Sequence, residues 1–197
     1  MSFLKNKKFW VLLLILNNLV FFPVSIFSQN LPSNEGFFDV RSASTSLNDG
    51  VYKLDARLQL FMSEEALDAL GSGVPLIIEL NIEIIRVRRF LPDARDAELI
   101  IQYELQYRPL SQRYIVQRLN SLEQESFSTL YSALNHLGRI QGLPLIDSSL
   151  LNANSNYRVR FRALLGTRQY SAPLQILIFW RSEWDLKSEW YEWRLER

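Results

Sequence analysis

Few residues in this chain have types and spacings that could do chemistry, and they exclude more than they permit. His136 is the one histidine, and cysteine is absent. A general base at His136 would need an orienting acid, and its sequence neighbours supply none. Near the end of a predicted helix, His136 equally suits a plain interaction with the helix dipole. Without cysteine there is no thiolate nucleophile, thiolate–zinc site, disulfide or lipoprotein anchor. No G-x-S-x-G elbow occurs, and the seven glycines form no phosphate-cradling loop. Glu123/Glu125 and Asp93/Asp96 are close in sequence, but a glycosidase needs its two carboxyls across a cleft; in polar turns these four read as solvated charges. The sequence predicts no catalytic residue, no cofactor and no metal site.

Two other groups are candidates for an interaction surface. Arg158, Arg160 and Arg162 share one face of a predicted strand. Paired guanidinium forks suit an acidic peptide, a phosphate or a lipid headgroup. The alternative is a structural ladder, because like charges stacked along a strand call for opposite charge beside them, and Glu79 and Glu83 are the natural partners. Trp180, Trp184, Trp190, Tyr191 and Trp193 crowd the C-terminus. Such aromatics either form a recognition surface or close the open end of a β core.

The elements that must position these residues are mostly strands. Asn48-Asp49-Gly50 has the chemistry of a tight hairpin turn. Beyond it Tyr52, Leu54, Ala56, Leu58 and Leu60 alternate with Lys53, Asp55, Arg57 and Gln59, the pattern of a half-buried strand. Ser63 predicts a helix cap, with Glu64 and Glu65 in the first turn and Gly71 as terminator. Leu76, Ile78, Leu80, Ile82 and Ile84 share a face of the next strand. At Ile84-Ile85 the apolar set changes sides, which predicts a β-bulge. Pro92-Asp93 opens a turn, and Ile101, Tyr103, Leu105 and Tyr107 alternate with Gln102, Glu104, Gln106 and Arg108. Tyr114 to Leu119 returns as a partner strand. Ser128 to Leu137 predicts a second short helix, capped by Ser128 and ended by Gly138. A loop around Pro144 and Asp147 precedes the arginine strand, with Tyr157, Val159, Phe161 and Ala163 on its apolar face. A last apolar run covers Leu174 to Trp180. The sum is a mainly β domain: about eight antiparallel strands and two short helices, in a β-sandwich or a strongly bent sheet. A small outer-membrane barrel is a third possibility, opposed by the helices and the Glu/Arg-rich outer faces.

Composition and the N-terminus bear on location. Lys5, Lys7 and Lys8 precede the apolar runs Phe9–Leu16 and from Leu19, followed by Pro23, Ser25 and Ser28. This layout predicts a signal peptide over residues 1–28, cleaved after Ser28. The alternative is an uncleaved anchor, since Phe9 to Phe27 is nearly long enough to span a bilayer. Residues 29–36 read as a linker and 37–197 as one domain. Positive flanks stay inside, so the expected location is the periplasm, or the inner membrane facing it. The chain carries 22 Lys+Arg against 21 Asp+Glu; setting the three leader lysines aside leaves 19 against 21. With no positive surplus, nucleic-acid binding is not expected. Membrane contact is expected only through the N-terminal segment, if it stays uncleaved.

Several stretches, taken in order, carry a family likeness: Asn48-Asp49-Gly50-Val51-Tyr52, Gly73-Val74-Pro75-Leu76, Leu110-Ser111-Gln112-Arg113-Tyr114, Leu143-Pro144-Leu145-Ile146-Asp147 and Ser188-Glu189-Trp190-Tyr191-Glu192-Trp193. From Phe37 to Trp193 the chain resembles the gammaproteobacterial DUF4390 family, a domain of unknown function. The resemblance implies an exported bacterial protein, carries over no catalytic residue, and brings an association by gene neighbourhood with a membrane sensor kinase. The functional expectation is a non-enzymatic periplasmic interaction module whose partner is an envelope protein or peptide, a sensor kinase among the candidates. The alternative is a ligand carrier or enzyme whose site assembles only in three dimensions.

Overall fold

The computed structural model describes residues 35–121, 123–166 and 186–196. Strand alternation decides its architecture. β1 (Phe37–Asn48) and β2 (Val51–Phe61) form a hairpin closed by the pair Asn48–Val51. Its two turn residues, Asp49 and Gly50, have φ of 51° and 79°, the left-handed pair that fits the twist of the flanking strands. α1 (Glu64–Gly71) follows, and Ser63 Oγ accepts the Ala66 N–H at 3.3 Å as its cap. The expected terminator, Gly71, lies inside the last turn. The left-handed residue is Gly73, with φ 85°.

β3 (Leu76–Val87), β4 (Ala94–Arg108), β5 (Arg113–Arg118) and β6 (Gln124–Phe127) run as a meander. α2 (Leu130–Leu137) leads to β7 (Arg139–Asp147), a 3-10 turn at Ser148–Leu150, β8 (Asn156–Gly166) and β9 (Tyr191–Arg194). The strands build two antiparallel sheets, β1-β2-β7 and β6-β5-β4-β3-β8-β9. The chain is therefore mainly β and sandwich-like, with nine strands among the described residues, and neither sheet closes into a barrel.

The core lies between the sheets. Leu54 and Leu58 of β2 join Leu76, Ile78, Leu80, Ile82 and Ile84 of β3, Ile101 and Leu105 of β4, and Val159, Phe161 and Ala163 of β8. Each fully buried leucine or isoleucine contributes about 1.5–3 kcal/mol relative to exposure. Ala66 and Leu70 of α1, and Ala133 and Leu137 of α2, add the helices' apolar sides.

Three local readings change. The bulge is real but lies on β4: Ile84 pairs with Ala97 and Ile85 with Arg95, so Asp96 is the extra residue. β3 itself pairs with β8 without interruption from Ile77 to Val87. Its hydrophobic pattern changes sides because its outer face is also buried, at Ile77 and Ile85. The cap of α2 is Thr129, whose Oγ1 accepts the Ser132 N–H at 3.1 Å, not Ser128. The expected loop around Pro144 is strand β7, paired to β2 with two register shifts, one leaving out Leu145 and the other Gln141 and Gly142, while Pro144 pairs with Lys53. The run Leu174–Trp180 lies outside the described residues.

Gly138 ends α2 for a packing reason. Its carbonyl accepts the Leu58 N–H at 2.7 Å, and a Cβ there would meet Leu58 O at 2.6 Å. Gly138→Ala is expected to force the helix end away from β2 and cost about 1–3 kcal/mol, read as a lower urea midpoint. An unchanged midpoint would mean that α2 can shift without loss.

Candidate functional site

The larger sheet has an outer face that no second sheet covers among the described residues, yet its centre is buried. Glu83, on β3, is only 4% exposed there. β4 and β8 flank β3, and each places a guanidinium on the carboxylate: Arg95 Nη1 lies 2.9 Å from Oε1 and Arg160 Nε 2.5 Å from Oε2. Arg95 also reaches Glu98 at 3.2 Å. Burial pushes the Glu83 pKa up, but hydrogen bonds and charge from Arg160 and Arg95 outweigh it and hold the carboxyl below its ordinary value.

The arginine row is therefore largely occupied. Arg158 binds Asp93 at 2.7 Å and Glu192 at 3.2 Å. Arg160 and Arg162 both lie against the Trp190 ring, at 4.5 and 4.3 Å from its centroid, within cation–π range. Glu79 does not join the ladder: it sits opposite Leu164 and Gln102 and accepts from Gln102 Nε2 at 2.8 Å. Arg95 was the partner that sequence patterning missed, because pairing it with Glu83 requires the β3–β4 register. Asn81, also buried on this face, leaves its Oδ1 without a hydrogen bond.

The aromatic tail divides by strand alternation. Trp190 covers the arginines, while Tyr191 and Trp193 pack against the core, and Trp193 Nε1 donates to Thr45 Oγ1 of β1 at 3.1 Å. These rings join the two sheets. Trp180 and Trp184 lie outside the described residues.

Sequence patterning also missed a cleft of about 360 Å³ between the β4–β5 side of the large sheet and α2–β7. Its polar lining is Tyr103, Arg118, Glu123, Glu125, His136 and Arg139. Here His136 gains the acid that its neighbours in sequence lack: its Nε2 lies 3.5 Å from Glu125 Oε1 on β6, and its ring lies 5.1 Å from Phe127. Glu123 faces Arg118 at 3.7 Å. Burial pushes the Tyr103 phenol up, Arg118 pulls it down and Glu123 pushes it up, and the net is a raised pKa. This lining can grip a small polar molecule. Among the described residues it offers no cluster of metal ligands. Asp93 and Asp96, expected as solvated charges, are engaged instead: Asp93 with Arg158, and Asp96 with Arg86 at 3.1 Å and the Tyr157 hydroxyl at 3.1 Å.

The DUF4390 family model, a domain of unknown function, matches residues 37–194. The chain belongs to the DUF4390 family. No curated protein and no solved structure matches it. The match spans both sheets from β1 to the end of β9, so the family's domain includes the Glu83 cluster and the cleft alike.

Glu83 has a lower pKa folded than unfolded, so its stabilisation is complete above the ordinary carboxylate range. It is lost as pH falls through the depressed folded value. Glu83→Gln is expected to cost about 2 kcal/mol near neutrality, below the usual figure for a fully buried pair because Arg95 is half exposed. It should also flatten the acid limb of stability against pH, measured by urea unfolding across the acid range. Parallel acid limbs in parent and variant would assign the loss to other carboxylates.

Proposed function

We propose that this DUF4390 protein is an exported, non-enzymatic interaction module of the cell envelope that holds an extended segment of a partner protein along β1. The observation that carries this reading is the difference between its sheet edges. β6 and β9 span four residues each, and β7 is broken by two register shifts and Pro144. Short and irregular edges resist strand addition. β1 is the exception: twelve residues long, paired on one side to β2, and without a strand on its other edge among the described residues. From Ser42 to Asn48 its register is unbroken.

In an antiparallel ladder only alternate residues exchange bonds with a given neighbour. Counted back from the closing pair Asn48–Val51, Ser46 and Ser44 bond to β2. Leu47, Thr45 and Ala43 turn their N–H and C=O groups outward. Such a row is what strand addition uses, with affinity from main-chain bonds and specificity from alternate side chains. The N-terminal layout of lysines and apolar runs supports export. An envelope protein is the partner this favours, and a membrane sensor kinase is the first to test.

Ala43→Pro removes an outward N–H and should keep stability within about 1 kcal/mol of the parent. Ser44→Pro removes a bond to β2 and should destabilise the fold. With a photo-cross-linker at Leu47, the parent is expected to capture one envelope protein in cells, and Ala43→Pro to lower the yield about tenfold. Capture untouched by Ala43→Pro would remove the edge from consideration.

A second reading, a ligand carrier or enzyme, draws on the cleft at His136 and Arg118. Native mass spectrometry of protein purified from the envelope is the check. A bound small molecule lost on Arg118→Leu would place the cleft ahead of the edge.

A further inference from the structure

The β3–β4 turn gathers arginines and exposed apolar side chains in one short stretch. Arg88, Arg89, Phe90, Leu91 and Pro92 form its apex, and Phe90 and Leu91 are 91% and 64% exposed. Val87, at the end of β3, is exposed as well. Arg88 and Arg89 are exposed, and neither guanidinium has an ion pair among the described residues. The nearby carboxylates are engaged: Asp93 accepts the Arg88 N–H at 3.0 Å and the Arg158 guanidinium at 2.7 Å, and Asp96 holds Arg86. The apex thus presents two uncompensated cations around two bare apolar side chains.

Other exposed apolar groups share this end of the sandwich. Leu47 precedes the β1–β2 turn, and Leu150 lies in the 3-10 turn whose Ser148 N–H donates to Gly50 O at 2.8 Å. Tyr157 ties the loop after that turn to β4, accepting from Asn152 N and donating to Asp96. The loops at this end are thus joined by hydrogen bonds, which steadies the base of the β3–β4 turn.

We propose that the β3–β4 turn is a membrane-contact element, in which Phe90 and Leu91 enter the interface and Arg88 and Arg89 bind anionic lipid headgroups. An apolar apex with a basic collar fits a fluid surface, which moulds around it and supplies phosphate oxygens to the guanidinium forks. A protein partner would have to provide a matching concave pocket lined with carboxylates. The element is separate from β1, so its failure would leave strand capture untouched, and the converse holds. It also differs from the N-terminal segment: the chain enters β1 at Gly36, against Ser63, at the opposite end of the strands.

The absence of cysteine permits a local test in the full chain. Leu91→Cys is labelled with a solvatochromic dye and mixed with vesicles of phosphatidylcholine, alone or with phosphatidylglycerol. The expected result is a blue shift on the phosphatidylglycerol vesicles, weakened by salt. Arg88→Gln with Arg89→Gln should need roughly 25-fold more lipid for the same shift, from about fivefold for each arginine. Because the dye reports its own surroundings, binding through residues 1–34 does not mimic this result. No shift on anionic vesicles, or an equal shift on phosphatidylcholine alone, would overturn the proposal. A shift given by lipid-free envelope proteins and not by vesicles would overturn it in favour of an acidic protein partner.

Discussion

A carboxylate buried on the outer face of a sheet, between two guanidinium groups, is the constraint on which this structure most depends. The six-stranded sheet is wider than the three-stranded sheet that packs on it, and its other face has no second sheet among the described residues. That face must still shield the centre of β3 from water. Arginine stems do this well, being apolar along their length and charged at the tip. The cations then need a countercharge, and Glu83 supplies it from the strand between them. Trp190 lies against Arg160 and Arg162 of β8. Alternation along β9 therefore gives one turn of chain two tasks, covering the outer face with Trp190 and tying the sheets together through Trp193.

The mismatch in sheet width also explains where one hollow occurs. β1, an edge of the smaller sheet, lies over β8 and β9, so the larger sheet outreaches it on the side of β5 and β6, where another element must fill the gap. There α2 fills most of it, leaving the cleft that Tyr103 and His136 line. A second hollow, of about 470 Å³, is lined by residues of β3, β8 and β9 alone, among them Asn156, Glu192 and Arg194. The first hollow follows from geometry that any sandwich of unequal sheets shares, so its presence alone says little about chemistry. What distinguishes the first is its lining of paired charges around a half-buried phenol.

The sequence made the long strands and both helices legible because burial on one side leaves a period of two or of about three and a half. β2, β3, β4 and β8 carry that pattern clearly. β7 escaped because Gly142 and Pro144 interrupt its alternation, and β6 because its residues are mostly exposed and its pattern lasts only four positions. The change of side at Ile84-Ile85 pointed to a bulge on β3 but reflects burial of both its faces, and the bulge at Asp96 of β4 shows only in the pairing of the two strands. The site followed the same rule. That arginines and a glutamate would meet could be read from their faces. That the glutamate is Glu83, shared with Arg95, and that Glu79 turns to Gln102, is set by register. His136 and Glu125 lie on different elements, and no local pattern brings them together.

The order of strands along the chain bears on how the domain comes into being. Five of the strand pairings join neighbours in sequence, but β2–β7 and β3–β8 link residues as far apart as Val51 and Asp147, and Ile77 and Gly166. Neither sheet is complete until its late strand arrives, and the apolar inner faces of β2 and β3 must wait for β7 and β8. Closing such distant pairings slows folding and leaves strand edges open to wrong partners meanwhile. If the chain is exported unfolded, as proposed above, that delay becomes an advantage, since the segments made first cannot lock into a compact body while the last third of the sequence is still missing.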